Sequence, residues 1–188
     1  MKSLVVQTIA HCNELFAAPN LHPLVSLIRW PKAKPFPVSL RFGFYTVWLR
    51  GTQGCCPAAF GQGTCDFCEG TLLLVQPGNR VEGSWWTDTG GAKEGWLLCF
   101  HPSLFEENRM SGRLESYTFF RYAGNEALHL SLRERKIVER EVQYLEEELG
   151  RGVDEYSCAI LADRILLLLD YVARSYGFSL TRRCTFSE

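Results

Sequence analysis

Residues 131–150 read SLRERKIVEREVQYLEEELG, and the way this stretch starts, repeats and stops divides the chain in two. Ser131 and Glu134 have the spacing of a capping box, in which the serine oxygen accepts an early backbone N–H and the glutamate reaches back to the cap. Val138, Val142, Leu145 and Leu149 then recur at intervals of four, three and four, the single apolar stripe of a surface helix. Arg135, Glu139, Arg140, Glu146 and Glu147 fill the rest of its circumference. Gly150-Arg-Gly152 ends the helix, since glycine takes the left-handed conformation beyond a helix terminus, and Asp154 is placed to cap the next.

The second helix, roughly 154–176, carries Leu161, Ile165, Leu168, Val172 and Tyr176 on one stripe. The short connection predicts antiparallel packing of the pair. Leu166, Leu169 and Ala173 form a second flank, and Leu167 sits between Asp163 and Asp170 on the remaining, wet side. So many apolar faces predict burial from several directions: by the first helix, by the rest of the chain, and by a second copy through Leu166, Leu169 and Ala173. The competing reading is that the rest of the chain covers everything.

N-terminal to about residue 125 the pattern changes. Glycine-punctuated, aromatic and β-branched segments predict strands at Leu24–Arg29, Ser39–Leu49, Cys65–Glu69, Thr71–Val75, Gly95–Phe100 and Tyr117–Arg121. Val6–Phe16 suits a short helix, and Pro102–Phe105 another helical turn. Many short strands at close spacing suggest a small barrel or sandwich. The expected architecture is therefore α+β, mainly β: a barrel with a short N-terminal helix over 1–125, a helical hairpin over 126–180 and a tail over 181–188.

At 188 residues, with 46% apolar and 22% charged residues and a net charge of -1, the chain has the composition of an ordinary globular protein with no basic excess for nucleic acid. Its longest apolar run, Ile165–Leu169, is far short of the roughly 20 residues that cross a bilayer. Eight scattered cysteines in a chain this large read as reduced thiols, and the expected location is cytoplasmic. Cys65 and Cys68, with Cys55-Cys56 upstream, have half of a zinc-ribbon pattern, yet residues three apart on a strand face opposite sides. The four histidines, His11, His22, His101 and His129, are isolated from one another. No phosphate loop, dinucleotide fingerprint or nucleophile elbow is present. The expectation is a protein without metal or cofactor and without enzymatic activity. Aromatic residues crowd the β-region, and a small barrel can hold packed side chains or one small ligand. Arg41, Glu69, Trp96 and His101 are the candidate pocket groups; an ordinary surface or core role is the competing reading for each.

Glu69-Gly-Thr-Leu-Leu-Leu-Val-Gln-Pro-Gly78 is similar to the second half of a cupin motif. Taken with His22-Pro-Leu-Val-Ser26, Arg41-Phe-Gly-Phe-Tyr45, Gly95–Leu104, Phe119-Phe120, Asn125–Ser131 and the helical pair, the chain resembles the N-terminal region of AraC-type transcription regulators of Bacteroides-like bacteria. The resemblance implies a cupin-like barrel that senses a small molecule such as a sugar or aromatic compound, and a hairpin that forms a homodimer. DNA would be bound only by a C-terminal helix-turn-helix part that these residues do not contain. Val81 stands where metal-dependent cupins place a histidine, and Cys56, Ala58 and Gly63 fall where the other ligands would be. A small cupin-fold enzyme and a constitutive dimerisation module are the alternatives.

Overall fold

The strand Gly95–Phe100 has no exposed residue on either side, which requires cover on both faces of whatever sheet contains it. A computed structural model of the chain describes residues 3–29, 39–50, 70–81, 95–106, 111–120 and 128–185. In chain order its strands are β1 (Ser3–Val6), β2 (Val25–Arg29), β3 (Ser39–Phe42), β4 (Tyr45–Arg50), β5 (Gly70–Val75), β6 (Arg80–Val81), β7 (Gly95–Phe100) and β8 (Leu128–Leu130). The helices are α1 (Ile9–Phe16), α2 (Ser111–Ser116), α3 (Leu132–Gly150) and α4 (Ser157–Thr185).

Five strands, ordered β2-β7-β4-β5-β8, form an antiparallel sheet, and β1-β3-β6 form a second. Because side chains alternate along a strand, the larger sheet has two apolar faces. Val47, Leu49, Leu72, Leu74, Trp96, Leu98 and Phe100 pack with α3 and α4. Trp48, Leu73, Val75, Leu97 and Cys99 pack instead with α1 and with Leu40, Phe42 and Val81 of the small sheet. The molecule is thus three layers deep, with the hairpin on one face of the central sheet and α1 and the small sheet on the other.

The fold is α+β, as expected, but among the described residues the strands make two open sheets and no closed barrel, and helix outweighs strand. One cause is the run Ser39–Leu49, which is two strands in different sheets. It breaks at Gly43, where an added Cβ would lie 2.6 Å from the Gln7 side chain and 3.0 Å from the Gln7 carbonyl oxygen. The close approach is fixed by the Gly43 N–H, which donates to the Val6 carbonyl at 2.8 Å. The segment expected as a single helix over Val6–Phe16 likewise splits. Val6 ends β1, and the Thr8 hydroxyl caps α1 by accepting from the His11 N–H.

A second difference lies at Tyr117–Arg121, expected as a strand. Thr118–Phe120 is a 3-10 turn following α2, and Phe119 and Phe120 are buried against the hairpin core. The expected strand Cys65–Glu69 lies outside the described residues. The hairpin itself follows its sequence: Ser131 and Glu134 form both bonds of the capping box. Asp154 accepts from the Tyr156 and Ser157 N–H groups at 2.9 Å each. Helix α4 begins three residues later than its cap and continues to Thr185, nine residues beyond the expected end.

Candidate functional site

The candidate pocket groups are not brought together. Arg41 is exposed on β3 of the small sheet, opposite Arg80. Trp96 is 0% exposed on the hairpin side of β7, and its indole N–H has no hydrogen-bond partner. His101, just beyond β7, accepts from the Ser103 N–H through Nδ1 at 3.3 Å and so caps the 3-10 turn Pro102–Phe105. Glu69 lies outside the described residues, as do Cys65 and Cys68. Val81 is an apolar core residue of β6.

Among the described residues, aromatic side chains pack the layer between the two sheets, where a barrel interior would be. Phe42, Phe44 and Trp48 are all buried there, Phe42 lying 5.4 Å from Phe44 and 6.0 Å from Trp48 between ring centroids. Trp48 turns its N–H to the Thr46 hydroxyl at 2.9 Å.

A cavity occurs instead at the open edge of the large sheet. β2 is the terminal strand, and its alternation sends Leu27 and Arg29 toward the hairpin and Ile28 toward the opposite core. Arg29 reaches α3, where Nη2 donates to Glu146 at 2.6 Å, Nε to the same carboxylate at 3.2 Å, and Nη1 to Glu139 at 3.4 Å. These bonds, led by the one to Glu146, hold the guanidinium pKa above its ordinary value. On the other side, α1 ends at Ala17, whose left-handed backbone (φ 54°) turns the chain toward Pro19 and Leu21. Between these walls is a space of about 150 Å³, lined also by Phe16, Ile28 and Leu149. The sequence signal for this site is an arginine that ends an apolar strand and two glutamates seven apart that share one helix face, a face that helical spacing alone marks only as wet.

The second feature is the hairpin's outer face. Leu166 and Leu169, expected at a subunit seam, are 2% and 0% exposed within the single chain, and Ala173 is half-buried. The elements packed on α4 are α3, the turn Pro102–Phe105 and β8, and the α2 segment latches onto it at Asp170 and Tyr176. Tyr117 donates to Asp170 at 2.6 Å, Arg113 pairs with Asp170 at 2.7 Å, and the Phe119 ring lies 6.2 Å from Tyr176. Among the described hairpin residues the large apolar side chains left open are Leu132, Val153 and Tyr156 toward its ends and, midway, Ile160 and Leu167 at 39% each and Tyr144 of α3 at 40%. Arg164 joins them, its guanidinium 4.4 Å from the centre of the Tyr144 ring and 3.4 Å from Glu141.

Two thiol contacts complete the inventory. Cys12 and Cys99 lie 3.7 Å apart between α1 and β7, and burial pushes the Cys99 thiol up. Cys158, near the start of α4, lies 3.7 Å from His22 Nε2. His22 Nδ1 already accepts from the Leu24 N–H, so Nε2 carries the ring proton and faces the sulfur as a donor rather than a base. No cluster of three or more metal-ligating side chains exists among the described residues.

No protein-family model matches the chain, and a search of curated proteins gives no match. No described helix is long and apolar enough to cross a membrane.

Proposed function

We propose that this chain is a regulatory domain that pairs with a second copy through the outer face of its hairpin, the role implied by its resemblance to the sensor half of AraC-type regulators. The observation that carries the reading is the group of Ile160, Leu167 and Tyr144, left open midway along a helix pair whose Val138, Val142, Leu161, Ile165, Leu168 and Leu169 are buried. The patch has the makeup of an interface core: aliphatic side chains, an aromatic ring and an arginine whose charge is already matched by Glu141. A two-fold axis through it would place each copy's patch on the other's, as an isologous contact requires. The two sheets packed face to face then correspond to the halves of a flattened cupin-like barrel, in a cytoplasmic parent that binds DNA through a separate part.

The aromatic packing between the sheets favours a second reading, in which the domain dimerises constitutively and its barrel holds only its own aromatic side chains. Light scattering on serial dilutions tests the shared element of both. The expected result is a mass of twice 21.4 kDa that falls toward 21.4 kDa on dilution. A single mass of 21.4 kDa at every concentration, up to the highest soluble one, overturns both.

A further inference from the structure

We infer that the cavity at the edge of β2 is a binding site for a small, uncharged ring compound carrying at most one hydroxyl group. Size sets the first limit. A space of about 150 Å³, open toward solvent at Leu21, has the volume of a cavity that takes up benzene, which means about six to eight non-hydrogen atoms. The walls set the second: Phe16, Pro19, Leu21, Leu27 and Leu149 offer aromatic and aliphatic contact.

Charge sets the third. The polar groups at the cavity are Arg29 and Glu146, and they are closed on each other by two guanidinium nitrogens. An organic anion would have to displace Glu146 from Arg29, with Glu139 only 3.4 Å from the same guanidinium. An organic cation would have to displace Arg29 from Glu146. A hydroxyl can instead donate to a free lone pair of the Glu146 carboxylate without breaking the pair. A sugar, ringed with hydroxyls, would leave most of them unpaired against the apolar wall, which is costly.

The position gives such a ligand a consequence. The cavity spans α1, β2 and α3, and α3 also carries Tyr144 of the open hairpin face, two residues before Glu146. A compound held there fastens α3 to the sheet edge. It biases the hairpin only to the extent that it binds the paired and unpaired states differently. This second step rests on the dimer reading above; binding itself does not.

The experiment is an NMR titration of the full chain at neutral pH with four probes of similar size: phenol, cyclohexanol, benzoate and benzylammonium. Phenol and cyclohexanol are expected to shift the resonances of Phe16, Leu27 and Leu149 saturably, and the two ions are not. Ala18→Leu, which fills the space, and Leu21→Trp, which closes its exposed mouth without touching the core, are each expected to weaken phenol binding about tenfold or more. Thermal melts of both variants establish that they are folded. Absence of saturable shifts with any probe overturns the site. Tighter binding of benzoate or benzylammonium than of phenol overturns the ligand class. If phenol binds as expected but leaves dimer dissociation unchanged at saturation, the regulatory role of the site fails while the site stands.

Discussion

Leu167 and Leu169 stand two residues apart on α4, and their surroundings could hardly differ more. Leu169 is sealed by the chain itself, whereas Leu167 faces outward beside Tyr144 and Arg164. Side-chain type does not separate them, and helical spacing alone marks both as apolar positions on a crowded helix. What separates them is whether a non-adjacent segment lies on top. On the inner flank the turn Pro102–Phe105 and β8 pack on α4, and Tyr117 and Arg113 add a latch on Asp170. On the outer flank the described part of the chain leaves the apolar side chains open, and a second copy is the cover we propose.

The largest effect should come from the inner flank. Leu169→Ala leaves a cavity in a closed core and is expected to cost about 2–5 kcal/mol. Leu167→Ala, measured on the monomer, should stay within about 0.5 kcal/mol. Urea unfolding of the two variants at equal concentration checks the contrast, and equal losses would erase it. The pair also bears on what the sequence could show. The apolar faces of α4 demand more cover than α3 offers, while the aromatic residues of Tyr117–Arg121 suit a strand as well as the 3-10 turn they form. A 3-10 turn there buries Phe119 and Phe120 in the hairpin-side core, and Leu166 and Leu169, expected at a seam, are covered within the single chain.

The next effect is at the latch on that cover. Tyr117→Phe removes the hydroxyl that donates to Asp170 at 2.6 Å and is expected to cost about 1 kcal/mol. The dimer mass should not change, which separates a latch from a seam.

The base of α4 adds a dependence on pH. His22 is 3% exposed, and burial lowers its pKa from 6.5, so the unfolded chain takes up the proton more readily than the folded one. Its contribution is complete above pH 6.5, and stability should fall as the pH drops from there through the folded pKa. His22→Asn keeps an acceptor for the Leu24 N–H without the titration. The difference in its unfolding free energy from wild type should narrow over that range, and an unchanged difference would remove His22 as the cause.

The smallest effect belongs to Arg113, half exposed in its pair with Asp170. Arg113→Gln should cost about 0.2–0.5 kcal/mol, less at high salt. A larger loss would mean that the ion pair, not the apolar cover, fastens the inner flank.

Local signals were the most legible part of the fold. The capping box, the stripe of α3, the Asp154 cap, β5 and β7 all stand where residue spacing places them. Signals that depend on distant chain were not. Gly43 reads as one glycine in a strand until Gln7 is seen beside it. Arg41, Trp96 and His101 share aromatic or polar character but end in different layers, because alternation on a strand fixes a face without saying what covers it. The cavity was missed for the same reason. Arg29 is more than a hundred residues in sequence from Glu139 and Glu146 and meets them only when the hairpin closes over the sheet edge.

The most direct test of the outer face is the mass of Leu167→Glu in solution beside wild type. The variant is expected to be a folded monomer of 21.4 kDa under conditions where wild type has twice that mass. A folded variant that keeps twice the monomer mass would move the proposed seam off this face of the hairpin.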